Sequence, residues 1–448
     1  MKNKTITYNY LILFHLLIAL AVFVLPALSK LYALVIPIVG IYLVNKTKNR
    51  NNEVLLVCAY LVGVEVFLRM TGGNFNNEYV KFNLVFFMLL GMIYSSFSPS
   101  SFIYWFFLIL LIPCILITAS VDQVNIDVKK LLFFNLSGPV CLGICSIYMY
   151  CRRIQFSQLQ NILSVMGLPI LTTTAYLFLY TPSVRDVVTS TGSNFETSGG
   201  FGPNQVSTIL GLGIFIFFTQ LVLSSKSIKD IILNGCILAF ISYRGVVTFS
   251  RGGIITGVVM IVCLLFFLYQ FSNAKGKTKF GFVLILTSLM GVGVWTYSSI
   301  QTRGLIDKRY ANKDALGRVK KSALSGREGI MDSEINLFLD NPILGVGAGM
   351  GKELRKESGD EVASHNEITR MLAEHGMFGI FGLLILFITP LILFINNRQH
   401  LYCLSFYLFW LLTINHAAMR IAAPAFVYAL SLLSVHIIMP QKAEKSEG

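Results

Sequence analysis

The sequence predicts an all-α protein, a polytopic transmembrane helix bundle, and three observations carry that expectation. Of its 448 residues, 55% are hydrophobic and only 13% are charged, where a soluble domain carries about a quarter. Apolar runs of roughly 20 residues, the length a helix needs to cross hydrocarbon, recur along the chain with short polar punctuation. The net charge of +14 is not gathered on one arm or stripe, as nucleic acid would require. Most of it falls in short loops between the runs, which is how membrane orientation is encoded.

Taken in order, the runs place spans near 8–28, 30–45, 53–70, 79–96, 101–120, 131–150, 159–181, 206–224, 229–249, 252–271, 280–300, 377–396, 401–418 and 423–440, about fourteen in all. The first run follows Met-Lys-Asn-Lys like a signal sequence, but no small-residue cleavage site follows and the next span begins at once. A retained first helix is therefore expected. Alternate loops collect Lys46, Lys48 and Arg50, then Arg152 and Arg153, Lys226 and Lys229, Lys275, Lys277 and Lys279, Arg398, and finally Lys442 and Lys445. These loops are assigned to the cytosol with both termini. Four stretches result: N-terminal transmembrane helices over 1–181, central helices with a first outward loop over 182–300, a long outward loop over 301–376, and C-terminal helices with a short cytoplasmic tail over 377–448. The 8 cysteines fall in spans or, for Cys151, a cytosolic loop, so no disulfide framework is expected. Cys141 and Cys145 lie one helical turn apart without a nearby His or further Cys, and packing accounts for them better than metal.

Segments 182–205 and 301–376 exceed what adjacent helices need, and loops of that size in compact bundles are usually functional. In the second, Ile330, Met331, Ile335, Phe338 and Leu339 recur near helical spacing from Arg327 to Asp340, and Asn341-Pro342 ends the helix. A glycine-rich turn follows at Gly345, Gly347, Gly349 and Gly351. It fails as a phosphate loop, because that pattern needs glycine at Val346 and a hydroxyl at Glu353 after a strand; a tight turn at the membrane surface is expected. Asn366–Glu374 is expected to form a short helix leading into the span that starts near Met377.

Charge inside this loop is uneven. Arg303, Lys308, Arg309, Lys313, Arg318, Lys320, Lys321 and Arg327 face only Asp307 and Asp314, whereas the remainder is acidic. A basic loop on the outward side needs a cause other than the orientation rule: an anionic ligand, or anionic lipid head groups. Arg244 and Arg251 stand at the outer end of one span and the tight turn into the next. Arginine so near hydrocarbon snorkels, pairs or serves function, and glycines beside Arg251 would let a ligand approach. His365, in Ala-Ser-His-Asn-Glu before a helix, is a candidate base, since its ordinary pKa lies near neutrality. His15 and His436 are placed inside spans as packing residues. Glu65 and Arg69 share a helix face and can pair.

Several motifs then coincide in order: Gly199-Gly-Phe-Gly-Pro-Asn-Gln-Val-Ser, Ser250-Arg-Gly-Gly, Gly326-Arg-Glu, Asn341-Pro-Ile-Leu-Gly-Val-Gly, and Ser364-His-Asn-Glu with Glu374-His-Gly-Met-Phe-Gly. Over roughly residues 195–400 the chain resembles the O-antigen ligase and O-antigen polymerase superfamily of bacterial envelope enzymes, including a histidine separated by ten residues from a glycine, here His365 and Gly376. The resemblance implies a metal-independent, inverting glycosyl transfer, without cofactor, from an undecaprenyl-diphosphate-linked glycan at the periplasmic face of the inner membrane. The acceptor would be lipid A-core for a ligase, or a growing glycan for a polymerase. On this expectation His365, Arg251 and Arg327 are catalytic, the arginines holding the diphosphate. Arg244, Asn366, Glu367, Arg370, Asn204 and Arg185 would bind substrate. The chain departs from the usual ligase pattern in having about fourteen rather than about twelve spans. The rival from another class is a lipid-linked sugar flippase, which would show internal repeats and ionisable residues at the midplane of several spans.

Overall fold

A computed structural model describes residues 2–121, 127–320, 327–357 and 364–437. In chain order it contains α1 (Lys2–Val24), α2 (Leu28–Thr47), α3 (Glu53–Met70), α4 (Tyr79–Ser95), α5 (Phe102–Leu110), α6 (Ile112–Ala119), α7 (Val128–Met149), β1 (Arg153–Gln155), α8 (Phe156–Tyr180), α9 (Val184–Val187), α10 (Pro203–Thr219) and α11 (Ile228–Val246). There follow α12 (Arg251–Gln270), α13 (Ala274–Gln301), α14 (Leu305–Tyr310), α15 (Arg327–Asp340), α16 (Met350–Glu357), α17 (Glu367–Asn396), α18 (Cys403–Ile414), α19 (Ala423–Leu430) and β2 (Ser434–His436). The architecture is an all-α bundle in which, among the described residues, 8 helices are long and apolar enough to cross a membrane. Large apolar side chains cover its flanks, among them Phe14, Ile38, Phe86, Ile109, Val262, Phe266, Ile285 and Ile392, all exposed. A surface of that kind is stable against lipid and not against water.

Close helix crossings rest on glycine. A Cβ on Gly253 would lie 2.1 Å from the Ser207 carbonyl oxygen, and one on Gly211 would lie 2.0 Å from that of Gly253. α10 and α12 therefore touch backbone to backbone, the small-residue packing by which helices associate in lipid. Gly63 does the same between α3 and α8, where a Cβ would meet the Met166 oxygen at 2.2 Å.

Helix ends sort into two groups. At one end the turns after α2, α4 and α7 meet: Asn49 Nδ2 donates to Ser95 Oγ (2.8 Å) and Tyr148 OH (2.7 Å). Here β1 and β2 pair in parallel, with Arg153 opposite Ser434 and Gln155 opposite His436. At the other end Arg69 Nη2 donates to the carbonyls of Asn77 (2.6 Å) and Arg420 (3.0 Å), joining the turns after α3 and α18.

Two expectations change. The last expected span, 423–440, is helical only to Leu430, and the chain then extends into β2. His436 accordingly lies in a strand, exposed, and is not buried in a span. The physical reason is at hand: the edge of β1 supplies backbone partners that α19 would otherwise have to continue. His15 does pack inside α1, its ring nitrogens within 2.7 Å of the Leu11 carbonyl and 3.0 Å of Tyr60 OH.

Candidate functional site

The end opposite the β-ribbon carries nearly all the candidate residues, in two neighbouring groups. The first is the corner between α11 and α12. α11 ends at Val246 and Phe249 takes a left-handed φ of 58°, a conformation that a bulky side chain avoids unless its surroundings hold it. The hold is Arg309 of α14, whose Nε donates to the Phe249 carbonyl at 3.0 Å. Arg251 then opens α12, and its Nη1 reaches the Arg309 carbonyl at 3.5 Å. Asn204 of α10 joins the same corner: its Oδ1 accepts from Ser250 Oγ at 2.8 Å.

Lys320 lies close enough that the charges of Arg309 and Arg251 add to burial in lowering its pKa. The Tyr310 phenol is pushed up to about 12 by burial, with Arg251 and Arg309 pulling the other way. Three cations are thus concentrated at one corner. The two acids of that stretch are engaged elsewhere: Asp307 accepts from Trp295 Nε1 (2.9 Å) and Ser299 Oγ, and Asp314 pairs with Arg318 at 2.7 Å. The arrangement suits an anion, above all a phosphate, because guanidinium forks match its oxygens in pairs.

Arg244 does something different. Its side chain is 1% exposed and donates to the carbonyls of Leu177 (2.7 Å), Thr181 (3.2 Å) and Thr197 (3.3 Å). It closes the end of α8 and ties down the loop after it. Arg185 is exposed on α9 in that loop.

The second group surrounds the start of α17. Asn366 caps this helix, its Oδ1 accepting from the N–H groups of Ile368 (2.9 Å) and Thr369 (3.4 Å), so its oxygen is committed to the backbone and not to a ligand. His365 sits between this cap and buried Ser364. Arg370 donates through Nη1 to Asn135 Oδ1 (2.6 Å) and pairs with Glu367 Oε1. The other oxygen of Glu367 is buried without a partner among the described residues. Glu367, Arg370, Asn135, Ser364 and Arg420 line a cavity of about 470 Å³ bounded by the turn before α4 and by α7, α16 and α17.

Glu334 of α15 knits this region together. It accepts from Arg355 Nη1 (3.2 Å), Ser364 Oγ (3.2 Å) and Thr369 Oγ1 (2.6 Å). Burial raises its pKa, and the hydrogen bond from Thr369 and the Arg355 charge oppose that rise. Arg327 begins α15; its side chain lies outside the described residues.

The glycine-rich turn is a strap. Gly345, Gly347 and Gly349 have φ of 71°, 95° and 78°, which glycine alone adopts at no steric cost. The N–H groups of Val346 and Gly347 donate to the carbonyls of Ala373 (2.9 Å) and Glu374 (3.1 Å), so they do not form an anion cradle. The strap packs where α17 breaks at Gly376 (φ 59°, ψ −136°), separating the short helix after Asn366 from the long apolar segment.

The turn between α18 and α19 links the two groups. The His416 ring packs against Gly252, where a Cβ would meet it at 2.5 Å, and its Nε2 lies 3.2 Å from Thr208 Oγ1. Farther along, Arg420 Nη2 donates to the Ser364 carbonyl at 2.9 Å. Glu65 and Arg69 pair at 2.7 Å, and Glu65 Oε2 accepts from the Ala422 N–H at 2.7 Å, fixing this turn. Sequence reasoning passed over His416 and Arg420. The available signal was two ionisable side chains crowded at the end of the 401–418 run and just beyond it, where such residues are costly.

A family model described as O-antigen ligase matches residues 236–384, a stretch that includes Arg251, Arg309, Lys320, Glu334, His365 and Arg370. No curated protein matches the chain.

Proposed function

The match over α11 to α17 supports membership of the O-antigen ligase superfamily and a glycan-handling membrane enzyme of the ligase or polymerase type, and from that premise we propose a glycosyltransferase acting at the periplasmic face of the inner membrane. The donor is an undecaprenyl-diphosphate-linked oligo- or polysaccharide, and the acceptor is lipid A-core, as in an O-antigen ligase. The reading places both termini in the cytosol after about fourteen passes, with the basic turns and the β-ribbon on the cytosolic side.

One observation carries it. The Asn415–Ile421 turn touches the cation corner through His416 and the His365 turn through Arg420, so motifs distant in sequence face a common region. In the reaction an acceptor hydroxyl attacks the anomeric carbon, the bond to the diphosphate oxygen breaks with inversion, and the bonding pair leaves with the diphosphate. Arg251, with Arg309 and Lys320 beside it, takes up the growing charge; Arg327 is retained as a further ligand. His365 accepts or orients the proton of the attacking hydroxyl. Glu367 and Arg370 position the acceptor from the wall of the cavity, Asn204 supports the Arg251 corner, and Arg185 lies at its outer approach.

Deletion of the gene followed by examination of lipopolysaccharide tests the assignment. Capped core with accumulated lipid-linked polymer is the expected outcome. Core bearing a single repeat unit would make the enzyme a polymerase, and unchanged surface glycan would remove the reading altogether.

A further inference from the structure

At the end of the bundle carrying the β-ribbon, the turns after α2, α4 and α7 enclose a second basin, of about 570 Å³. Lys48, Arg50, Arg152 and Arg153 line it, and among the described residues no carboxylate does. Glu53, the acid next to the first turn, is buried and accepts from the Asn51 N–H and side-chain amide, each at 3.1 Å.

Arg152 is built into the wall. It donates to the carbonyls of Tyr148 (3.0 Å) and Ser96 (2.5 Å), to Ser95 Oγ (3.2 Å) and to Asn52 Oδ1 (3.3 Å), and its guanidinium lies 3.9 Å over the Tyr148 ring. All these partners are neutral, so its charge stays uncompensated by them. Lys48, Arg50 and Arg153 are exposed and make no ion pair among the described residues.

The backbone here is unusual as well. Lys48, Asn49, Asn52, Ser96 and Cys151, all lining the basin, have φ between 51° and 60°. L-residues other than Asn avoid this region, and such strain collects at ligand clamps held by their surroundings. Asn49 supplies part of the hold through Ser95, Tyr148 and the Val54 N–H.

Beside the basin, α4, α5 and the turn between them present Ile93, Phe97, Phe102 and Trp105, all exposed. A soluble anion would use the cations and leave this apolar flank bare, whereas a lipid would use both. We propose that the basin binds the phosphate-bearing headgroup of an anionic phospholipid, with an acyl chain along the flank formed by Phe97 and Trp105. The site needs only that the bundle sits in a membrane, so it stands or falls independently of glycan transfer.

The test uses purified full-length protein and native mass spectrometry with phosphatidylglycerol, phosphatidylcholine or inorganic phosphate. Retention of phosphatidylglycerol over phosphatidylcholine is expected, falling at least about tenfold in the triple variant Lys48→Ala, Arg50→Ala, Arg153→Ala. The charge-preserving set Lys48→Arg, Arg50→Lys, Arg153→Lys should hold the lipid. So should Lys226→Ala, Lys229→Ala, Lys277→Ala, which removes equal charge from other turns. Equal loss in that control, unchanged retention in the triple variant, or phosphate bound as tightly as the lipid would each overturn the proposal.

Discussion

Arg244 and Arg251 flank one tight turn, and sequence alone treats them alike. The fold separates them by what surrounds each guanidinium: three carbonyls for Arg244, and a crowd of other cations for Arg251. Arg244→Ala is therefore expected to cost about 3 kcal/mol, since hydrogen bonds from a charged donor are lost and buried carbonyls are left bare; thermal melting of the purified protein reads this. Arg251→Ala should leave melting nearly unchanged and lower transfer from a lipid-linked donor by about a hundredfold or more, the scale of losing one fixed charge at a developing anion. The lowered pKa of Lys320 gives a pH dependence with a definite sign. A cation that loses its proton earlier than ordinary lysine weakens anion binding as pH rises through that lowered value. Donor-lipid affinity should fall on the alkaline side, and Lys320→Arg should flatten the fall. The presence of His416 and Arg420 at a membrane boundary was a signal in the sequence, but their roles were not legible, because those roles depend on a turn meeting segments far away in the chain.

At the scale of elements, helix positions were legible because hydrophobic runs dictate them, whereas breaks and contacts were not. The glycine-rich strap is the clearest case. Its composition announced a turn, but only the fold shows that Gly347 lies against α6, where a Cβ would meet Thr118 Oγ1 at 2.7 Å. The glycine after Arg251 and Gly252 likewise looked like room for a ligand. In the structure Gly252 makes room for His416 and Gly253 makes room for α10. Gly253→Ala forces a Cβ onto the Ser207 carbonyl and is expected to destabilise the α10–α12 crossing by about 1–3 kcal/mol, seen as a lower melting temperature. A wild-type melting curve for that variant would mean that the two helices can separate without cost. The short end of α19 was hidden for a related reason: an apolar run does not reveal that its second half has a strand partner at β1.

For the whole molecule, the helix ends divide into a basic, ribbon-bearing end and an end that gathers both candidate groups. Cys151, exposed beside β1, is a native probe of that division. In intact cells it should resist a membrane-impermeant maleimide and react with a permeant one, and a cysteine introduced at Ser193 should react with both. Labelling in the opposite sense would invert the proposed orientation. The central claim is that the Arg251 corner and the His365 turn serve one lipid diphosphate. A structure of the protein with a non-hydrolysable donor lipid bound tests it most directly. Diphosphate density within hydrogen-bond distance of Arg251 and of Arg309 or Lys320, with the first sugar toward the cavity at Glu367, is the expected result. Density held at another place, with the Arg251 corner untouched, would contradict it.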